Sequence, residues 1–204
     1  MEVIESWYNR QDNDGWVQRE QILGDEARSR VPQEFQVQYP EHANPPTLLT
    51  AVNGYLDRLQ AAASGDTRDV TNARLDPEHA QQFLARLYPK LRSNYNWMRK
   101  TMQGGIRQYG RMSRSRVEGY RWRGRTMGHT LTSGLDDYPR APIPSVGELH
   151  VDLLCWIGYM GRNLQNIAQI LGEEDDVEEF EDHYHAIRAN VDGKSSLDPP
   201  KLCR

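Results

Sequence analysis

Residues 129–156 gather four carboxylates and an arginine around one loop-to-helix junction. Asp136 and Asp137 form an acidic pair just after Gly134, in a stretch too rich in Gly and Pro for helix. Arg140 follows within four residues, and Glu148 and Asp152 stand near the start of an apolar, helix-forming run. Like-charged carboxylates raise one another's pKa, so such a cluster suggests acid–base or hydroxyl-binding chemistry. Gly134 permits positive φ or close backbone approach, and Pro139 stiffens the exit. Asp136 is therefore expected on a rigid turn, which suits a proton donor of fixed geometry. The bland alternative is an Asx turn, in which Asp136 or Asp137 bonds its own backbone.

Glu148 also has two readings. Ser145-Val-Gly-Glu148 matches a capping box, with the glutamate bonding back to the N-cap amide. Asp152 lies one turn further on the same face, where two carboxylates repel unless a cation or sugar hydroxyls lie between them. That repulsion favours a ligand contact for Asp152.

These segments are long enough to carry a resemblance. Gly119-Tyr-Arg-Trp-Arg-Gly-Arg-Thr126, Thr132-Ser-Gly-Leu-Asp-Asp-Tyr-Pro-Arg-Ala141 and Glu148-Leu-His-Val-Asp-Leu-Leu-Cys-Trp156 resemble the processing α-glucosidase I family, glycoside hydrolase family sixty-three. Gly15-Trp-Val-Gln-Arg-Glu-Gln-Ile-Leu-Gly-Asp-Glu-Ala27 and Ala43-Asn-Pro-Pro-Thr-Leu48 are similar to the same family. The resemblance runs from about residue 3 to 190. It implies an inverting glycosidase built on an (α/α)6 toroid, trimming the terminal glucose of the N-glycan precursor in the endoplasmic reticulum lumen.

By that resemblance Asp136 is the general acid, and Glu148 and Asp152 serve activity and substrate binding. Trp122, Arg123 and Arg140 belong to the same motifs and become sugar-contact candidates. Trp16, Arg19 and Glu20 would stack on a pyranose and bond its hydroxyls; their plain alternative is a solvated helix start with a local ion pair. Asn44, on the rigid Asn-Pro-Pro turn, is a further contact candidate. The family's general base is a downstream glutamate expected beyond Arg204, and a Trp-Asp pocket segment is expected before Met1. The chain is thus expected to be a central piece of a catalytic domain, inactive alone, needing the rest of that domain as partner. The runner-up is a carbohydrate-binding or interaction remnant without catalysis.

Composition agrees with a partial core. Leu, Ile, Val and Phe number 40 of 204 residues, about a fifth, near the level at which chains fail to build a core. The net charge of −4 is too small for disorder by self-repulsion. No 18-residue apolar run or signal peptide is present, so the segment is expected to make no membrane contact; full-length relatives carry an anchor. Cys155 and Cys203 make no disulfide framework, and neither cofactor nor metal is expected. Asp182-His-Tyr-His185 offers two histidines at i,i+2, which face different sides of a helix.

The main rival from another class comes from residues 107–125, where seven arginines interleave with Tyr109, Tyr120 and Trp122. That pattern suits single-stranded nucleic acid. The negative net charge and the nearby carboxylates weigh against it, and no nucleic-acid partner is expected.

The elements expected to position these residues are all helical. Helices are predicted at 2–10, 47–62, from Asp76-Pro77 to about 103 with a kink at Pro89, at 146–171, and at about 175–190. A loop over 104–145 carries the chemistry, and the acidic run 173–182 is predicted to be a solvated helix start. Residues 1–192 are expected to form the domain fragment. Residues 193–204 are expected to be a disordered tail outside the family pattern, its Gly-Lys-Ser start suggesting read-through of a splice junction.

Overall fold

A computed structural model describes residues 2–65 and 75–192. The described residues are all-α, with seven α-helices and no strand. These are α1 Glu2–Tyr8, α2 Gly24–Arg30, α3 Gln33–Gln36, α4 Leu48–Ala63, α5 Pro77–Thr101, α6 Val151–Leu171 and α7 Glu174–Val191. The tail from 193 onward lies outside the described residues.

The three long C-terminal helices form the centre. α6 packs most extensively on α7 and next on α5, while α4 leans on α6 and α1 on α5. Their apolar stripes explain this: Leu84, Leu87 and Leu91 of α5 meet Leu153, Ile157, Met160 and Leu164 of α6 in one buried cluster. The helix boundaries follow local chemistry. The Asp76 carboxylate accepts from the His79 backbone N–H at 3.1 Å, with Pro77 at the first helical position. Gly172, at φ 77°, closes α6. Pro89 sits inside α5, which runs as one helix through it.

One boundary and two short helices differ from expectation. The helix predicted from 146 begins at Val151, with His150 as its extended N-cap residue. No capping box forms: the Ser145 hydroxyl accepts from Gly147 N–H, and the Glu148 carboxylate goes elsewhere. The short α2 and α3 fall where no helix was expected. Neither buries a residue, so neither has an apolar stripe to read.

One extended crossing matters for the site. Residues 119–122 run between the end of α5 and the start of α6, bonding to both. Gly104 N–H donates to Gly119 O at 2.8 Å and Arg121 N–H to Met102 O at 2.7 Å. His150 N–H donates to Tyr120 O at 2.8 Å. This stitching brings Trp122 against the first turn of α6.

Candidate active site

Glu148 and Asp152 each lie within a buried ion pair. Glu148 Oε2 is 3.2 Å from Arg125 Nε, and its Oε1 is 3.4 Å from Arg125 Nη2; both side chains are under 10 % exposed. Arg125 also donates to the carbonyls of Thr126 and Ala141, so it pins the loop as well as the carboxylate. Asp152 Oδ2 accepts from Arg140 Nη2 at 3.0 Å and from Trp122 Nε1 at 2.8 Å, while its Oδ1 accepts from Arg140 Nη1 at 3.4 Å. The repulsion expected between the two carboxylates is thus met by two guanidinium groups.

His150 stands between them. Its Nδ1 accepts from the Trp122 backbone N–H at 2.9 Å, which places the proton of the neutral ring on Nε2. Burial first, then the Arg140 cation, push its pKa down to about 4, against the opposing pull of Asp152 and Glu148. For Asp152, burial pushes upward, but the bonds from Arg140 and Trp122 prevail and hold the carboxyl below its ordinary value.

The other expected site residues divide into two groups. Asp136 and Asp137 lie exposed on a turn after the 3-10 helix Leu131–Ser133, with Gly134 at φ 66° and Tyr138 N–H bonded to Leu135 O. The Asx turn does not form: Tyr138 N–H, the donor that an Asp136 Asx turn would use, goes to the Leu135 carbonyl. No hydrogen bond or ion pair from the described residues reaches either carboxylate. Arg19 and Asn44 bond one another, and Arg19 Nη2 also reaches Leu131 O at 3.3 Å, setting this pair behind the aspartate turn. Arg140 lies over the ring of Tyr138, 5.7 Å from its centroid, linking that turn to Asp152.

The second group braces the scaffold or stands apart from the carboxylate pair. Trp122 is fully buried, so it braces Asp152 and offers no surface for stacking. Trp16 is also buried, its indole N–H donating to His42 O at 2.8 Å. Arg123 donates to Thr101 O and Gln103 O at the end of α5, and none of its bonds reaches Glu148 or Asp152. Glu20 is exposed and makes no ion pair with Arg19. The residues that sequence reasoning missed are Arg125 and His150. Both stood inside quoted motifs, but only their partners far along the chain identify them.

The arginine-rich stretch is largely committed to internal bonds. Arg111, Arg116 and Arg123 donate to backbone carbonyls, and Tyr120 is buried with Trp122. Among the described residues no group of three or more His, Cys, Asp or Glu is placed to hold a metal ion. Among the described residues no helix is long and apolar enough to cross a membrane.

The all-α scaffold thus presents two arginine-paired carboxylates and an exposed aspartate turn. In comparison with known proteins, the family model of the glycosyl hydrolase family 63 C-terminal domain matches residues 1–197. A probable mannosyl-oligosaccharide glucosidase from Schizosaccharomyces pombe is 46% identical over 94% of this chain. The mannosyl-oligosaccharide glucosidase of Saccharomyces cerevisiae is 39% identical over 94% of it, and one from Arabidopsis thaliana 35% over 86%. The chain belongs to glycosyl hydrolase family 63. It spans about a quarter of the length of the two yeast relatives, 26% of each.

Proposed function

We propose that this chain supplies the proton donor and part of the glucose subsite of an inverting α-glucosidase. Its substrate is the glucosylated high-mannose N-glycan, processed in the endoplasmic reticulum lumen, and its scaffold is part of an (α/α)6 toroid. One observation carries the division of labour. Glu148 and Asp152 are each occupied by an arginine, Arg125 and Arg140, and Arg140 with Trp122 holds the Asp152 carboxyl below its ordinary value. Asp136 has no such cation, and it falls at the family's general-acid position. Glu148 and Asp152 then read sugar hydroxyls.

Inversion needs a second carboxyl about 6.5–9.5 Å from the acid to activate water. The two nearby candidates, Glu148 and Asp152, are engaged by arginine, and the family resemblance assigns that role to a glutamate outside these residues. The 204-residue chain alone is therefore expected to release no glucose.

The test places residues 1–192 in the fission-yeast relative in exchange for its matching segment. Asp136→Asn in that chimera should slow glucose release from glucosylated oligomannose by about 10²–10⁴-fold, with a smaller loss on an activated glucosyl fluoride. Full activity of Asp136→Asn together with loss in Asp137→Asn would move the role to Asp137. Glucose release by the isolated chain, abolished by Asp136→Asn, would show that a local carboxylate serves as base.

A further inference from the structure

Glu148 and Asp152 share a pattern that ion pairing alone does not require. In each, one oxygen faces two donors and the other only one long contact among the described residues. Asp152 Oδ2 takes Trp122 and Arg140, leaving Oδ1 at 3.4 Å from Arg140. Glu148 Oε2 takes Arg125 Nε at 3.2 Å and faces His150 Nε2 at 3.5 Å, leaving Oε1 at 3.4 Å from Arg125. His150 Nε2 is fully enclosed and makes no hydrogen bond among the described residues, although Glu148 Oε2 stands 3.5 Å away. A buried, unbonded N–H this close to a carboxylate oxygen is costly unless a bond between them forms when the site is filled.

We propose that His150 is a positioning residue, whose Nε2–H, set by the Trp122 backbone, holds Glu148 Oε2 and so presents Oε1 to a hydroxyl of the bound sugar. This rests on the reading of 148–152 as a glucose subsite. The imidazole touches no substrate; it acts through Glu148. The two less-engaged oxygens, Oε1 of Glu148 and Oδ1 of Asp152, then form a pair of acceptors on either side of His150. Vicinal hydroxyls of a single pyranose are the matching donors. The charged groups around the ring are Glu148, Asp152 and Arg140, with Arg125 beyond Glu148.

The substitutions separate the two sides of the ring. His150→Asn keeps an acceptor near Nδ1 but loses the Nε2 donor, whereas His150→Gln can restore a donor there. In the chimera, His150→Asn should raise KM about tenfold with kcat within about twofold, the size of one lost bond to a charged group. His150→Gln should recover most of that loss. In a Glu148→Gln background, His150→Asn should change KM by less than about twofold, because the two residues act as one unit. Full additivity of the two substitutions would overturn the proposal. Retained activity of Asp136→Asn would instead sink the assignment of the acid and leave this coupling standing.

A spectrum of the 204-residue chain with ¹⁵N-labelled histidine decides the geometry independently of turnover. His150 should show protonated Nε2 and bare Nδ1, with Nε2 shifting on Glu148→Gln. A proton on Nδ1, an Nε2 indifferent to Glu148→Gln, or titration at the ordinary histidine value would each overturn it.

Discussion

The indole N–H of Trp122 lies 2.8 Å from Asp152 Oδ2, across 30 residues of chain, with the ring completely buried. A tryptophan that seemed suited to stack on sugar instead braces a carboxylate that can read it. Trp122→Phe keeps most of the apolar body and removes the donor. A bond to a charged group contributes about 1.5–3 kcal/mol, so urea unfolding should show a loss of that size. The Asp152 carboxyl should also titrate higher in the variant, seen by carbon NMR, because one of the groups holding it down is gone. An unchanged Asp152 titration would assign the brace to Arg140 alone.

What the sequence made legible was periodic. The stripes of α4, α5 and α6 placed those helices, and Asp76-Pro77 and Gly172 marked ends that the structure keeps. What it hid depends on partners distant in sequence or on one backbone reversal. In Arg121-Trp-Arg-Gly-Arg125, Gly124 adopts φ 75°, which breaks the extended alternation. Arg125 therefore meets Glu148 while Arg123 bonds the end of α5, and spacing alone cannot tell the two arginines apart. The acidic run 173–182 looked uniformly solvated, yet Asp176 is buried against Tyr88 and Arg92, which share one face of α5. His183, in the Asp182–His185 segment, is likewise half-buried, accepting from Arg99 Nη1 at 3.0 Å. Asp136, by contrast, was placed correctly on a Gly-led turn, although its role rests on the family.

Tyr88 and Asp176 test whether that buried acid is structural. Tyr88 Oη donates to Asp176 Oδ2 at 2.5 Å, and Arg92 Nη1 lies 2.8 Å from the same carboxylate. Tyr88→Phe leaves the carboxylate with one partner fewer in a buried site and should cost about 1–3 kcal/mol in denaturant unfolding. Removing the more exposed Arg86–Glu5 pair by Arg86→Ala should change stability by less than about 1 kcal/mol. Equal losses from the two variants would contradict the difference in burial.

Gly15 is fixed by sterics as well as by φ. At φ 100°, an added Cβ would stand 2.4 Å from Ser93 O in α5, while Gly15 O accepts from both Gln11 and Asn94. Gly15→Ala should destabilise by about 2–4 kcal/mol, combining left-handed strain with backbone overlap. Gly65 has φ 88° but open space around its Cβ position, so Gly65→Ala should cost only about 1 kcal/mol. Comparable losses at the two sites would mean that conformation alone matters.

The pH dependence of stability follows from His150. Unfolded, this histidine takes a proton near 6.5; folded, with burial and Arg140 against it, it stays neutral down to about 4. Between those values the unfolded state binds more protons than the native one, so stability falls as pH is lowered through that window and is complete above it. His183 adds a loss of the same sign, since burial and Arg99 hold its pKa below the ordinary value. Asp152, whose folded pKa is depressed, adds a separate loss only below the ordinary carboxylate value of 3.8. Urea midpoints measured from pH 4 to 7 should therefore climb and level off above about 6.5. In His150→Gln the climb should shrink, with the remainder divided between His183 and His42, whose pKa burial also lowers, by further substitutions. A wild-type profile flat between 4 and 6.5 would mean that the ring is protonated in the folded chain, and with it the seat on Trp122 N–H would be lost.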